Sequence, residues 1–225
     1  MKKIPIGKAY NILSVWAENI DHTPIIDLMA AGGDSPWKIL VSTMLSARTK
    51  DQVTAQSSRN LFKVADTPGK TAKLSIEKLE KLIYPVGFFR MKAKHLKKLA
   101  QIIHGNGDKV PETVEEMVML PGVGVKTASL VFIKAYDGYD VCVDTHVHRM
   151  TNMWNLVKTD TPEKTRDALK EVLPRKYWKN INQYLVMMGQ TICRPVKQDC
   201  HICPLKEICP AAKQLPQRNQ RLLLR

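Results

Sequence analysis

No apolar stretch of this 225-residue chain approaches the length of a bilayer span, which takes about 20 consecutive apolar residues in a helix. The opening Met1-Lys2-Lys3-Ile4-Pro5 carries the charge of a secretion signal but not its apolar core. Residues 10–20 are interrupted by Asn11, Ser14, Glu18 and Asn19. The expected location is therefore a reducing cytoplasm, with the nucleoid if the source is prokaryotic, where thiols stay unpaired. Sustained alternation of apolar and polar residues is also missing, which excludes a sizeable sheet. So are internal repeats and low-complexity linkers. Acid is scarce: 21 Asp and Glu face 35 Lys and Arg, a net charge of +14. A chain this basic is built to meet a polyanion. An anionic membrane is the competing surface, but the basic residues are spread along the chain rather than gathered on one amphipathic helix. Nucleic acid is the better partner.

What is present reads as helix after helix, in a chain long enough for one large domain or two small ones. Ser35-Pro36-Trp37 supplies an N-cap followed by proline at the first helical position, and the run to Ser46 is apolar enough to be buried. Asp51 is placed to cap the next helix, and Ser75 another with Leu79, Leu82 and Ile83 on one face. Residues 89–104 set Leu96, Leu99 and Ile103 at helical spacing. Thr113 and Glu116 form a capping box for a short helix ending at Leu120. Helices are also expected over residues 126–135, from an Asp144 cap to Leu156, after Thr161-Pro162, and from Lys176 to Cys193.

Between two of these helices stands Leu120-Pro121-Gly122-Val123-Gly124-Val125-Lys126. Glycines two apart permit a sharp turn and expose successive N–H groups where no side chain blocks approach. Amides at a helix N-terminus bind phosphate with help from the helix dipole, reading backbone position and not base sequence. An ordinary helix–helix turn explains the glycines equally well; the net charge and Pro121 favour phosphate. Gly122, Gly124 and Val125 are thus the residues expected at the DNA backbone. Lys126 is either a further phosphate contact or a nucleophile, which needs the neutral amine that a helix N-terminus and a partly desolvated pocket promote.

Val143-Asp144-Thr145-His146 follows an apolar stretch. Asp144 fits a plain N-cap, and a carboxylate so held is also placed to stabilise positive charge on a reacting sugar. His146 and His148 read as local packing or phosphate contacts. Cys142, in Val141-Cys142-Val143, reads as a small buried hydrophobe. The other four cysteines, Cys193, Cys200, Cys203 and Cys209, are spaced C-x6-C-x2-C-x5-C and indicate a metal centre rather than disulfides. Zinc and a 4Fe–4S cluster both accept four thiolates. Zinc usually pairs two C-x2-C knuckles, whereas the gaps here are six, two and five. Pro204 and Pro210 follow cysteines as in one ferredoxin run. Spacing alone leans to iron–sulfur and leaves zinc open.

With these three motifs in order, the chain resembles endonuclease III, the helix-hairpin-helix DNA glycosylases that carry an iron–sulfur cluster. The likeness runs from about Ser35 to Pro210 and rests on Leu120 to Ala128, on Val143-Asp144-Thr145-His146 and on the cysteine set. The resemblance implies an all-α, two-domain fold: residues 30–137 carrying the hairpin, residues 1–29 with 138–213 forming the cluster domain, and a basic 214–225 tail. It implies a 4Fe–4S cluster on the four cysteines, folding a loop whose Arg194, Lys197 and Lys206 face phosphates. Lys126 is then the nucleophile and Asp144 the essential carboxylate, on opposite walls of a cleft into which a damaged pyrimidine is flipped. The implied activity is that of a bifunctional DNA glycosylase and apurinic/apyrimidinic lyase of base excision repair. It would act as a monomer on duplexes bearing oxidised pyrimidines or abasic sites.

Two positions depart from the family pattern. Bacterial members place a glutamine in the loop corresponding to Leu45-Ser46-Ala47-Arg48-Thr49-Lys50-Asp51, to fill the gap left by the extruded base; here the position is Arg48. In Val86-Gly87-Phe88-Phe89, Phe88 stands where the family uses an aliphatic wedge, and its ring can stack on a base. A surface arginine and a core phenylalanine are the plain alternatives. Two rival functions remain. One is a monofunctional adenine or thymine mismatch glycosylase, whose members usually replace the lysine, the adenine enzymes also carrying a further C-terminal domain. The other is a DNA-binding module without chemistry.

Overall fold

The computed structural model describes residues 2–212, and the expected 214–225 tail lies outside them. The described residues are helical, joined by turns, and their only β-type pairing is an isolated bridge between Cys193 and Gln198. This agrees with the all-α expectation. Along the chain run α1 (Ile6–Glu18), α2 (Ile25–Ala31), α3 (Pro36–Ser46), α4 (Asp51–Val64), α5 (Pro68–Lys73), α6 (Ile76–Ile83) and α7 (Phe89–Gly105). There follow α8 (Val114–Met117), α9 (Val125–Tyr136), α10 (Thr145–Met153), α11 (Pro162–Val172), a 3-10 turn at Arg175–Tyr177 and α12 (Trp178–Thr191). The described residues divide into two compact units: Thr23–Asp140, and those up to His22 together with 141–212.

In the Thr23–Asp140 unit, α3 is central and is buried all round from Ile39 to Leu45. It packs on α2, α4, α7 and α9. The Ser35 hydroxyl accepts from the Lys38 N–H at 3.4 Å, and Pro36 takes the first helical position, as the sequence requires. The polar residues on α3 are satisfied locally: the Ser42 hydroxyl donates to Ser58 Oγ at 2.9 Å and that of Thr43 to the Ile39 carbonyl at 2.7 Å. Helix α2 joins this unit through a buried ion pair, Asp27 to Lys134 of α9 at 2.5 Å. The boundary therefore falls at Thr23 rather than near residue 30. Burial pushes the Asp27 carboxyl up from its ordinary value, with Lys134 opposing the shift. Thr113 caps α8 as expected, accepting from Glu116 N–H at 3.3 Å, although its hydroxyl also donates to the Glu116 carboxylate at 2.8 Å.

In the other unit, Ala9 and Leu13 of α1 enter a core with Val147, Met150, Leu169, Ile181 and Leu185. The Ile4 N–H donates to the Trp154 carbonyl at 3.0 Å, which ties the N-terminal segment to residues 150 positions later. Each such fully buried leucine contributes about 1.5–3 kcal/mol relative to exposure. The same core runs on into Leu205 and Cys209, with Cys193 and Cys203 packed at its margin.

Candidate active site and nucleic-acid interface

The hairpin joins α8 to α9. Its turn closes through Val123 N–H on the Leu120 carbonyl at 3.1 Å. The two glycines serve different ends. Gly122 has φ +77°, and a Cβ there would stand 2.8 Å from His95 Nδ1, so the turn itself demands glycine. Gly124, the N-cap of α9, has extended backbone (φ −94°, ψ 173°) and nothing within 4 Å of a Cβ. Folding does not require glycine at that second position, and the backbone there is open to approach from outside. Val125 and Lys126 follow in the first turn of α9, both exposed, where a helix leaves its N–H groups for external acceptors.

Arg48 and Phe88 belong to the same unit and are brought together. Both are exposed and both adopt left-handed backbone, with φ 54° and 58°. Non-glycine residues hold that conformation only where surroundings enforce it. The Arg48 guanidinium lies over the Phe88 ring, 5.6 Å from its centroid, a cation–π distance. Phe88 is 56% exposed, so the core-phenylalanine alternative is set aside.

Asp144 lies in the other unit as the N-cap of α10. One carboxylate oxygen accepts from the backbone N–H groups of His146 and Val147, both at 2.9 Å. It is 9% exposed, so its orientation is fixed by the helix it caps. His146 packs against Gly189 of α12, and His148 Nδ1 pairs with the Thr165 hydroxyl at 2.6 Å. Both fit local packing. Cys142 is fully buried.

Cys193, Cys200, Cys203 and Cys209 border one small cavity of about 20 Å³, lined also by Trp154, Met188 and Leu205. Burial, with neighbouring cysteines adding to it, pushes Cys203 up to about 11 and raises Cys200 as well. Clustered thiols resist ionisation together unless a cation is present to compensate. Among the described residues, no three His, Cys, Asp or Glu are arranged to hold one metal ion. A multinuclear group that takes one thiolate at each metal atom needs no such convergence, and four soft donors suit iron. Arg149 was not marked by the sequence: its guanidinium donates to Cys193 Sγ at 3.4 Å and to the Cys193 carbonyl. Only the fold brings it there, 44 residues away.

The HhH-GPD superfamily of base excision DNA repair proteins matches residues 41–175. The chain belongs to that superfamily. Endonuclease III of Thermotoga maritima is 42% identical over 175 residues, covering 77% of this chain and 82% of its own. Endonuclease III-like protein 1 of Gallus gallus is 43% identical over 182 residues, covering 79% of this chain and 65% of its own. A solved trapped endonuclease III–DNA covalent intermediate superposes with a TM-score of 0.75 at 28% identity, covering 80% of this chain and 85% of that one. A thermostable thymine-DNA glycosylase shares the fold, with a TM-score of 0.76 at 22% identity over 90% of this chain and 94% of that one. The superfamily match takes in Arg48, Phe88, the hairpin, Lys126 and Asp144, and ends before the four cysteines.

Proposed function

We propose that this protein removes oxidised pyrimidines from duplex DNA and nicks the strand at the resulting site, as a monomer in the compartment that holds the DNA. One observation carries the reading: Lys126, an exposed amine, sits one residue into α9, directly behind a hairpin whose Gly124 is open to close approach. An amine there reaches a nucleotide whose phosphates rest on the hairpin amides.

The chemistry follows from the groups present. The neutral Lys126 amine attacks C1′ of the extruded nucleotide, and the glycosidic bond breaks with its electron pair leaving on the base. Asp144 takes part as the carboxylate that receives the lysine proton and stabilises positive charge developing on the sugar. Ring opening gives an iminium ion between Lys126 and C1′. Loss of a C2′ proton then expels the 3′ phosphate oxygen, which is β-elimination, and hydrolysis returns the lysine. The superposable trapped covalent intermediate supports this route. A mismatch glycosylase shares only the fold, and the lysine favours the lyase.

The four cysteines would hold a 4Fe–4S cluster, whose contribution is to fold the segment from Cys193 to Cys209. Arg194 is turned to Asp199 at 2.6 Å and Lys197 faces the same carboxylate at 4.0 Å, which leaves Lys206 as that segment's better phosphate contact.

The test uses thymine-glycol duplex with borohydride present. The parent should form a stable protein–DNA adduct and nick the strand, and Lys126→Gln should do neither. Equal nicking by both proteins would remove Lys126 from the mechanism; no base loss by either would leave a DNA-binding module.

A further inference from the structure

Lys92 is 6% exposed, in the first turn of α7, and among the described residues its ammonium pairs with no carboxylate. It donates instead to the Leu45 carbonyl at 2.8 Å, the Ala47 carbonyl at 2.6 Å and the Thr49 hydroxyl at 3.4 Å. These acceptors flank Arg48 on both sides. Helix α3 ends at Ser46, and its last carbonyls need donors. Glycine in a left-handed C-terminal turn commonly supplies that arrangement; here Arg48 occupies the left-handed position and a buried cation from another helix supplies the hydrogen bonds.

The same residue reaches the second loop through its backbone, since Lys92 N–H donates to the Phe88 carbonyl at 3.0 Å. Two further ties lock the loops together. Gly87 N–H donates to the Thr49 hydroxyl at 3.2 Å. A Cβ on Gly87 would meet the Arg48 carbonyl at 2.6 Å, so the two backbones touch where no side chain fits. Arg48 and Phe88 then stack on each other at the surface.

We infer that Lys92 is a positioning residue, a strap that joins the two loops so that Arg48 and Phe88 enter the duplex as one preassembled wedge. The inference rests on the proposed glycosylase function for its substrate. Burying an ammonium costs stability unless its protons are taken up; Lys92 meets that cost with acceptors that lie on the Arg48 loop. Burial also pushes the group down to about 8. With the strap intact, the guanidinium is held to hydrogen-bond the base left opposite the lesion while the ring fills the stack. Without it, each loop orders separately on binding and loses the benefit of preorganisation.

The experiment compares the parent, Lys92→Met and Thr49→Val. Cleavage is measured at one abasic site, first in a single strand, where no opposite base needs a wedge, then in a duplex with 2-aminopurine opposite. Lys92→Met should lower the duplex-to-single-strand rate ratio by about tenfold to a hundredfold, the scale of a small misplacement remote from the chemistry. It should also blunt the 2-aminopurine fluorescence change on binding, and Thr49→Val should move both readouts the same way by less. A parental ratio and fluorescence response in Lys92→Met would overturn the strap. If Lys92→Met does not fold by circular dichroism, a parental ratio in Thr49→Val overturns it equally. Should the parent cleave neither substrate, the glycosylase reading falls, and the fluorescence arm still decides whether Lys92 organises the loops.

Discussion

Lys92 also shows how one buried charge couples to solvent. Its ordinary value is 10.5 and burial lowers it to about 8. Between those values the unfolded chain binds a proton that the folded one has released, so the folded state gains stability as pH rises. The difference in Tm between the parent and Lys92→Met should therefore shift in the parent's favour from about pH 8 to about pH 10. A pH-independent difference would mean that the carbonyl acceptors hold the proton against burial. At Asp144 the readout is turnover: Asp144→Asn keeps an oxygen able to accept from His146 and Val147, and so should fold with near-parental Tm. Its base-release rate should fall by a factor of about 10² or more, the scale of a lost acid–base or electrostatic group. A fall in Tm with unchanged turnover would return Asp144 to a cap alone.

At the scale of elements, the proposed function has the hairpin separate folding from binding within three residues. Gly122→Ala forces φ +77° on a residue with a Cβ and drives it against His95; it should lower stability by about 1–3 kcal/mol. Gly124→Ala meets no neighbour, so its Tm should stay near parental while affinity for duplex DNA falls. Denaturation and DNA titration of the two variants check this, and equal loss of stability in both would refute the division of roles. Helices with sequence-local instructions were readable in the chain: Ser35, Ser75 and Thr161 each accept from the N–H three residues on, as caps do. Helix α5 went unread although it carries the same cap, Thr67 accepting from the Lys70 N–H ahead of Pro68. Pro68-Gly69-Lys70-Thr71-Ala72-Lys73 has no apolar period, and its closing carbonyls at Ala72 and Leu74 are bonded by Lys97 of α7. The hairpin turn, the place of Lys126 at the start of α9, Asp144 as the cap of α10 and the gathering of the cysteines were legible because spacing along the chain carries them. Lys92 and Arg149 were not, because they act on backbone carbonyls more than forty residues away.

Across the whole molecule, the two units have separate cores but unequal support. Thr23–Asp140 is one continuous segment around the buried helix α3. The other unit closes only when the first residues meet those after Val141, and its core ends at Cys209 beside a cavity lined by four thiols. Metal bound by a folded site and not by the unfolded chain adds its binding free energy to folding. Two cores with one such dependence should not unfold as a single cooperative step. Cys203→Ala, or removal of iron from the parent, should therefore lower hydrogen-exchange protection in α1, α10 and α12 while α3 and α7 keep theirs. Loss of protection spread equally over both sets would show that the cysteine segment supports the whole chain. Unchanged protection throughout, with iron absent by analysis, would deny the cysteines any part in folding. DNA affinity should follow the first pattern, because Lys206 lies in the segment that loses order. For every phosphate that this segment no longer neutralises, the slope of log affinity against log salt should flatten by about 0.9.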